Sequence, residues 1–342
     1  MTVPLIADHK KDVVMTLPLI ADYKKAVANA KSRFATLDIT PEFDARRHPV
    51  FLAGNFAGVF KVFGKNGEPM ALKCFTREMP DLEERYRAVA RYAKISRLAC
   101  MIDFEYLPEE LFVTSSIAPS GNYPIVTMPW LSGKPLGPAI ETLCNKNNRR
   151  AMAALTRAWA RLCVDMLRHG VAHGDLKHDN VMITPGSKLK LIDYDSMFLP
   201  ELKGMPSTLL GGVNFQHPNR EARHFDATID HFSILVILLS LRALTFEPEL
   251  LGKYNNGENI ILTRDDFLTP DASGLIRNLL KSPDFFVRDW TQTLIWTCRE
   301  NSIQVPALKT ILSAALKLTE AAEDGGLKRF FYHLNVNLES RF

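Results

Sequence analysis

The alternation of apolar and polar positions changes period along the chain. Residues 18–37 space their apolar side chains helically, which predicts a helix packed on the main body. Within 48–75, VFLAGNFAGVFKVF, KNGE and PMALKCF read as two strands joined by a polar turn, with Gly54 and Gly58 at the bend of the first segment. MPDLEERYRAVARYAK (79–94) is predicted helical: Pro80 and Asp81 signal a start, and Asp81 with Glu84 forms a capping box. Leu82, Tyr86, Val89, Ala90 and Ala93 share one face of it. LACMIDFEYL (98–107), LFVTSSI (111–117) and YPIVTM (123–128) read as further strands. The pattern breaks at PWLSGKPL (129–136), where Pro and Gly cluster, and helical spacing takes over. A helix over 151–170 places Leu155, Ala158, Leu162 and Met166 on one face and closes on Gly170. VMI (181–183) and LKLI (189–192), separated by a Pro-Gly-Ser turn, form a β-hairpin. Helices are expected at 229–244, 271–281, 284–300 and 306–322.

Two features on this scaffold carry chemistry. Lys73 stands in an otherwise apolar strand between Leu72 and Cys74, a position that calls for a reason beyond solvation. The stretch AHGDLKHDNVMITPGSKLKLIDYDSM (172–197) gathers His173, Asp175, Lys177, Asn180 and Asp193 on two loops whose spacing the hairpin sets. Oxygen-bearing side chains and one ammonium held close together suit Mg²⁺ and a polyphosphate.

Composition narrows the field. The chain has 342 residues, 46% hydrophobic and 23% charged, enough for one large domain or two lobes. A net charge of +4, dispersed rather than blocked, gives no nucleic-acid footprint. The five cysteines have neither zinc nor redox spacing, as expected of reduced thiols in a cytoplasmic protein. The longest apolar run, FSILVILLSL (232–241), is about half a membrane span, and the N-terminus lacks the basic-then-apolar order of a signal peptide, so no membrane association is expected. VPLIADHKKDV (3–13) recurs as LPLIADYKKAV (17–27), a local duplication rather than a solenoid.

The order of features — glycine bend, strand lysine, helix glutamate, Pro-rich break, HGDLKHDN, then IDYD — resembles the protein kinase superfamily across 48–245. The phrases ALKCFTRE (71–78), ERYRA (84–88), DYDSMFLP (193–200), NFQHPNR (214–220) and YNNGEN (254–259) are similar to bacterial members of that superfamily and extend the likeness to about residue 290. The resemblance implies an α+β, bilobal fold. A β-rich N-lobe with one helix would occupy 46–130 and a larger helical C-lobe 131–300, flanked by helical extensions at 1–45 and 301–342.

It also implies a serine/threonine protein kinase that takes ATP and Mg²⁺ and transfers the γ-phosphoryl group to a protein hydroxyl, its own included. Asp175 would orient the acceptor and take its proton, Lys177 would neutralise the transferred group, and Asn180 and Asp193 would hold Mg²⁺. Lys73 would grip the phosphates. Its helix partner is Glu83 by helix phase or Glu84 by adjacency to the ERYRA phrase. The glycine loop would run through Gly54, Asn55, Phe56, Ala57 and Val59. Met128, Pro129 and Leu131 would border the base, where the missing Pro129 N–H is not needed.

The chain departs from the family in several places. The glycine loop keeps only its central glycine, with Leu52 and Ala57 at the flanking positions. Gly174 replaces the arginine that pairs with a phosphorylated activation segment, so Ser196, Ser207 and Thr208 are not expected to switch through that partner. Asp195 replaces a glycine, His217-Pro218 stands for Ala-Pro, and Asn219 takes the place of a glutamate. Asp230 matches the helix aspartate that braces the catalytic loop, and His173 reads as a packing residue. Two rival readings share the motifs: a small-molecule kinase of the aminoglycoside or choline type, and a pseudokinase scaffold.

Overall fold

The computed structural model describes residues 16–54 and 57–319. The architecture is mixed α+β. The chain divides into two compact units, one of residues up to Ala90 together with Asp103–Trp130, the other of Arg91–Ile102 together with residues from Leu131 on.

The first unit begins with α1 (Ile20–Ala28), shorter than the helix expected over 18–37, and a 3₁₀ turn at Ala30–Ser32. Strands β1 (Thr40–Pro41), β2 (Phe51–Ala53), β3 (Ala57–Phe63) and β4 (Pro69–Phe75) precede helix α2 (Leu82–Ser96), which runs on into the second unit. Strands β5 (Glu105–Val113) and β6 (Gly121–Pro129) follow. The sheet is antiparallel in the order β1-β3-β4-β6-β5, with β2 also paired to β3.

Register decides which side chains share a face. Val59, Lys73 and Val126 stand in line across β3, β4 and β6, while Gly58, Cys74 and Ile125 point the other way. On that second face Phe60, Leu72, Cys74 and Ile125 pack with Tyr23, Ala26 and Val27 of α1. Helix α1 therefore seals the face opposite Lys73.

Two local expectations are corrected. Gly58 is not at a bend: it lies inside β3, opposite Ala53 and Cys74, and the turn is at Gly54, whose N–H donates to the Ala57 carbonyl at 2.9 Å. The strands read at 98–107 and 111–117 are one strand, β5, with an irregularity between Leu107 and Leu111; residues 98–104 are not strand. Pro108 has no N–H to give a ladder there. Next to it the buried Glu110 carboxylate accepts from the Thr36 and Leu37 N–H groups and the Thr36 hydroxyl at 2.7–2.8 Å.

The second unit is mostly helical. Strand β7 (Lys134–Pro135) and helices α3 (Leu136–Asn145) and α4 (Arg149–His169) lead to the hairpin β8 (Val181–Thr184) and β9 (Lys188–Leu191). Helix α4 forms where the sequence predicts it. Asn148 accepts the Ala151 N–H at its start, and Gly170 closes it at φ 64°. Helix α5 (His231–Phe246) is apolar almost all round and buried along nearly its whole length, as a central core helix must be. Arg242, inside it, makes a bidentate pair with Asp284 (2.6 and 3.1 Å), both fully buried. Helices α6 (Glu249–Tyr254), α7 (Arg264–Leu268), α8 (Gly274–Leu279), α9 (Phe285–Arg299) and α10 (Leu308–Ala315) complete it. The first copy of the N-terminal duplication and the end of the C-terminal extension lie outside the described residues. Among the described residues no helix is long and apolar enough to cross a membrane.

Candidate active site

In the second unit the loop from His173 to Asn180 is held from behind. The Asp230 carboxylate accepts the His173 N–H through Oδ2 and the Gly174 N–H through Oδ1 (2.9 Å). Burial pushes the Asp230 pKa up, opposed by the nearby His173 and Arg220 and by these backbone donors. His173 is fully buried. Its Nδ1 accepts from the Asp175 N–H (3.3 Å) and its Nε2 meets the Ile192 carbonyl (2.9 Å), so both ring nitrogens serve the backbone.

Three side chains meet on this loop. Lys177 Nζ lies 3.2 Å from Asp175 Oδ2. The Asn180 amide donates to the Asp175 carbonyl (2.8 Å) and to its Oδ2 (3.2 Å). That orientation turns the Asn180 N–H₂ group towards Asp175 and leaves Oδ1 as a ligand-type oxygen. Burial opposes the Lys177 charge, but Asp175 beside it, with Asp193 and Asp179, more than offsets this and raises the ammonium's pKa.

The hairpin brings the fourth member back. Val181 pairs with Leu191, and the Ile192 N–H donates to the Asn180 carbonyl at 3.0 Å, so Asp193 emerges at the open end beside Asn180. Asp193 itself has φ 68°. An amide oxygen and a half-buried carboxylate at one hairpin end are oxygen donors of the kind that Mg²⁺ takes. Asp195, two residues on, is buried, and its carbonyl accepts from the Thr208 hydroxyl at 3.0 Å.

The first unit places the remaining candidates. Lys73 is 5% exposed, with Nζ 5.7 Å from the Phe75 ring centre and 5.8 Å from that of Tyr86. Tyr86, from α2, also packs against Phe75, Phe104 and Tyr106. Glu83 pairs with Arg87 at 2.8 Å on the exposed side of α2, and Glu84 is exposed. Val59 is the cross-strand neighbour of Lys73. Gly54 occupies the β2–β3 turn and Ala57 opens β3, while Asn55 and Phe56 fall outside the described residues. Met128 and Pro129 pair with Ala71 and Met70 at the end of β6, and Leu131 is the first residue of the second unit's long segment.

Gly212, Gln216 and Arg220, to which the sequence assigns no role, converge on the Asp175 loop. The Gly212 N–H donates to Asp175 Oδ1 at 2.7 Å. Arg220 is buried, and its guanidinium donates to the Gly174 carbonyl (2.8 Å), to Gln216 Oε1 and to the Ser207 hydroxyl (3.3 Å). Burial pulls its pKa down, against Asp230, Asp175 and Asp226. His217 donates from Nε2 to the Thr297 carbonyl (2.9 Å) and accepts the Asn219 N–H on Nδ1 (3.1 Å). The FQHPNR phrase was visible, but nothing in its periodicity marks the arginine as buried.

No protein-family model matches the chain. It is similar to the serine/threonine-protein kinase SMU1 of Mycosarcoma maydis, 25% identical over 179 residues, 44% of this chain and 24% of that protein. It is also similar to the Aurora kinase of Saccharomyces cerevisiae, 27% identical over 120 residues, 34% of this chain and 33% of that protein. The chain thus spans about a quarter to a third of the length of these relatives. The similarity is low and partial, and it relates the chain distantly to protein kinases.

Proposed function

We propose that the chain is an ATP-dependent phosphotransferase, a serine/threonine protein kinase of the kind found in bacteria. The observation that carries this reading is the loop on which Asp175, Lys177 and Asn180 contact one another, with Asp193 returned to Asn180 by the hairpin. The distant likeness to two kinases supports the kinase part of this reading.

Phosphoryl transfer needs positioning and charge neutralisation more than covalent help. Asp175 offers a carboxylate with one oxygen fixed by the Gly212 N–H and the other beside Lys177, so its orientation towards an acceptor hydroxyl is set before substrate arrives. From there it takes the hydroxyl proton. Lys177, held charged by Asp175, offsets negative charge on the group in transit. Asn180 Oδ1 and Asp193 would hold Mg²⁺, which supplies the positive charge that makes the polyphosphate reactive. Lys73, buried on β4, would bind phosphate oxygens through its Nζ. In the protein kinases that the chain resembles, a lysine two residues after this aspartate goes with a Ser/Thr acceptor, and Lys177 stands there.

The test is incubation with labelled Mg-ATP and a general protein acceptor, comparing the parent with Asp175→Ala and Asp193→Ala. The parent labels itself or the acceptor; each variant loses at least about a hundredfold in rate, the scale of a proton-transfer or charge-stabilising group. ATP binding without label on any protein refutes the protein-kinase reading. A screen of small hydroxylated acceptors then distinguishes a small-molecule kinase from a scaffold.

A further inference from the structure

Position 174 cannot carry a side chain. Its φ is 82°, and a Cβ there would stand 2.1 Å from the Ser196 carbonyl oxygen and 2.8 Å from the Ser196 Cβ. A guanidinium nevertheless reaches the Gly174 carbonyl from elsewhere: Arg220, which also holds Gln216 and Ser207. Those contacts tie both ends of the 207–220 segment to the back of the Asp175 loop, and Ser207 is further fixed by its N–H to the Ala222 carbonyl (2.7 Å). Between the ends, the segment passes over Asp175 so closely that only glycine fits at 211. Its φ is 77°, and a Cβ there would lie 2.9 Å from Asp175 Oδ1 and 2.7 Å from the Gln216 amide nitrogen. The next residue, Gly212, donates to that same carboxylate oxygen.

We propose that Arg220 is a positioning residue: it holds the 207–220 segment on the Asp175 loop in its working arrangement with no phosphorylation of the chain. The proposal rests on the phosphotransfer reading for its kinetic consequence but not for its structural one. Arg220 touches no reacting atom. It acts through Gly174, the neighbour of Asp175 in the chain, and through the Gly212 N–H that orients the carboxylate. The buried guanidinium donates through its two Nη atoms to three neutral acceptors, while its Nε has no hydrogen-bond partner, and these contacts tie the segment to the loop without a phosphate on Ser207.

Two measurements test this. In the first, the parent is treated with a broad-specificity phosphatase, checked by mass, and assayed with labelled Mg-ATP and a general protein acceptor beside Arg220→Met and Arg220→Lys. The phosphatase-treated parent keeps its initial rate. Arg220→Met loses about tenfold or more in kcat while its KM for ATP stays within about threefold, a split that general destabilisation does not give, and Arg220→Lys recovers part of the loss. In the second, amide hydrogen exchange is followed through 207–222. In Arg220→Met the Gly212 and Ser207 amides exchange at least about tenfold faster, with α5 and α9 unchanged. Gln216→Leu, which keeps the volume and removes one acceptor, loosens the same amides less and serves if Arg220→Met does not fold. A parent that loses its rate on dephosphorylation overturns the proposal. So does an Arg220→Met protein with parental kcat and parental exchange. A parent that labels nothing refutes the phosphotransfer reading, and the exchange experiment alone then decides the latch.

Discussion

Gly174 shows how one residue's geometry can dictate what its neighbours must supply. The position needs the left-handed backbone and lies against the Ser196 carbonyl, so even a methyl group is excluded. Gly174→Ala combines a left-handed alanine, about 1–2 kcal/mol, with a contact that only backbone movement relieves, another ~1–3 kcal/mol. The expected outcome is a loss of about 3 kcal/mol in urea unfolding, with transfer activity lost out of proportion because Asp175 is displaced. An alanine variant of parental stability would mean that the loop adjusts freely. At this scale the sequence is a good guide wherever chemistry is contiguous. Asp175, Lys177 and Asn180 are grouped within six residues, and the strong turn of PGS fixes the hairpin that returns Asp193. It is a poor guide to Arg220. A buried arginine in a loop is defined by acceptors at residues 174, 207 and 216, and no local pattern encodes that convergence.

Elements were legible in proportion to their periodicity. Helices α4, α5 and α9 fall close to where apolar spacing put them, because each buries a continuous stripe or its whole surface. Strand β5 was misread as two because Pro108, Glu109 and Glu110 look like a loop; the Glu110 side chain turns inward to bind the 36–37 backbone, which only the fold reveals. Gly58 was misread as a bend for the complementary reason. It is a strand residue made small by a neighbouring helix. A Cβ at 58 would stand 2.1 Å from Ile20 Cδ1 and 3.4 Å from Ile20 Cγ1, so α1 docks on β3 through the space a side chain would fill. This predicts a coupling whose sign can be read. Gly58→Ala alone forces the Ile20 tip aside and lowers stability, although alanine normally gains about 0.4–1 kcal/mol over glycine through the unfolded chain. In an Ile20→Ala background the clash is gone and Gly58→Ala becomes neutral or stabilising. A double-mutant cycle by thermal or urea unfolding gives a coupling of about 1 kcal/mol or more, and simple additivity would show that α1 does not rest on β3 in this way.

At the scale of the whole molecule, two histidines make stability depend on pH. Burial lowers the pKa of His231 to about 4, against the pull of Asp226 and in line with the push of Lys309. Its Nδ1 is buried without a hydrogen-bond partner, so a proton taken up there has nothing to share it. Burial also lowers the pKa of His217, partly offset by the Thr297 carbonyl. The geometry gives the same direction independently: His217 Nδ1 accepts the Asn219 N–H, and protonating it would set two donors face to face. Above pH 6.5, the ordinary histidine value, both residues are neutral folded or unfolded, and they contribute no pH dependence. As pH falls through 6.5, the unfolded chain takes up protons that the folded chain refuses. Stability therefore drops, and for His231 it goes on dropping until pH approaches 4. The full shift at His231 corresponds to about 3 kcal/mol as a ceiling, reduced because the residue is not completely buried. Urea unfolding of the parent at pH 7.5 and 5.5 should show the loss, and His231→Gln should lose about 1 kcal/mol less over the same interval, in which every other group titrates alike in parent and variant. Equal losses in parent and variant would remove His231 from the account. The His217 contribution then falls on the segment that runs over Asp175, so between pH 6.5 and 5.5 exchange at the Asn219 amide should rise before the protection of α5 does, and synchronous opening would show instead that the unit responds only as a whole.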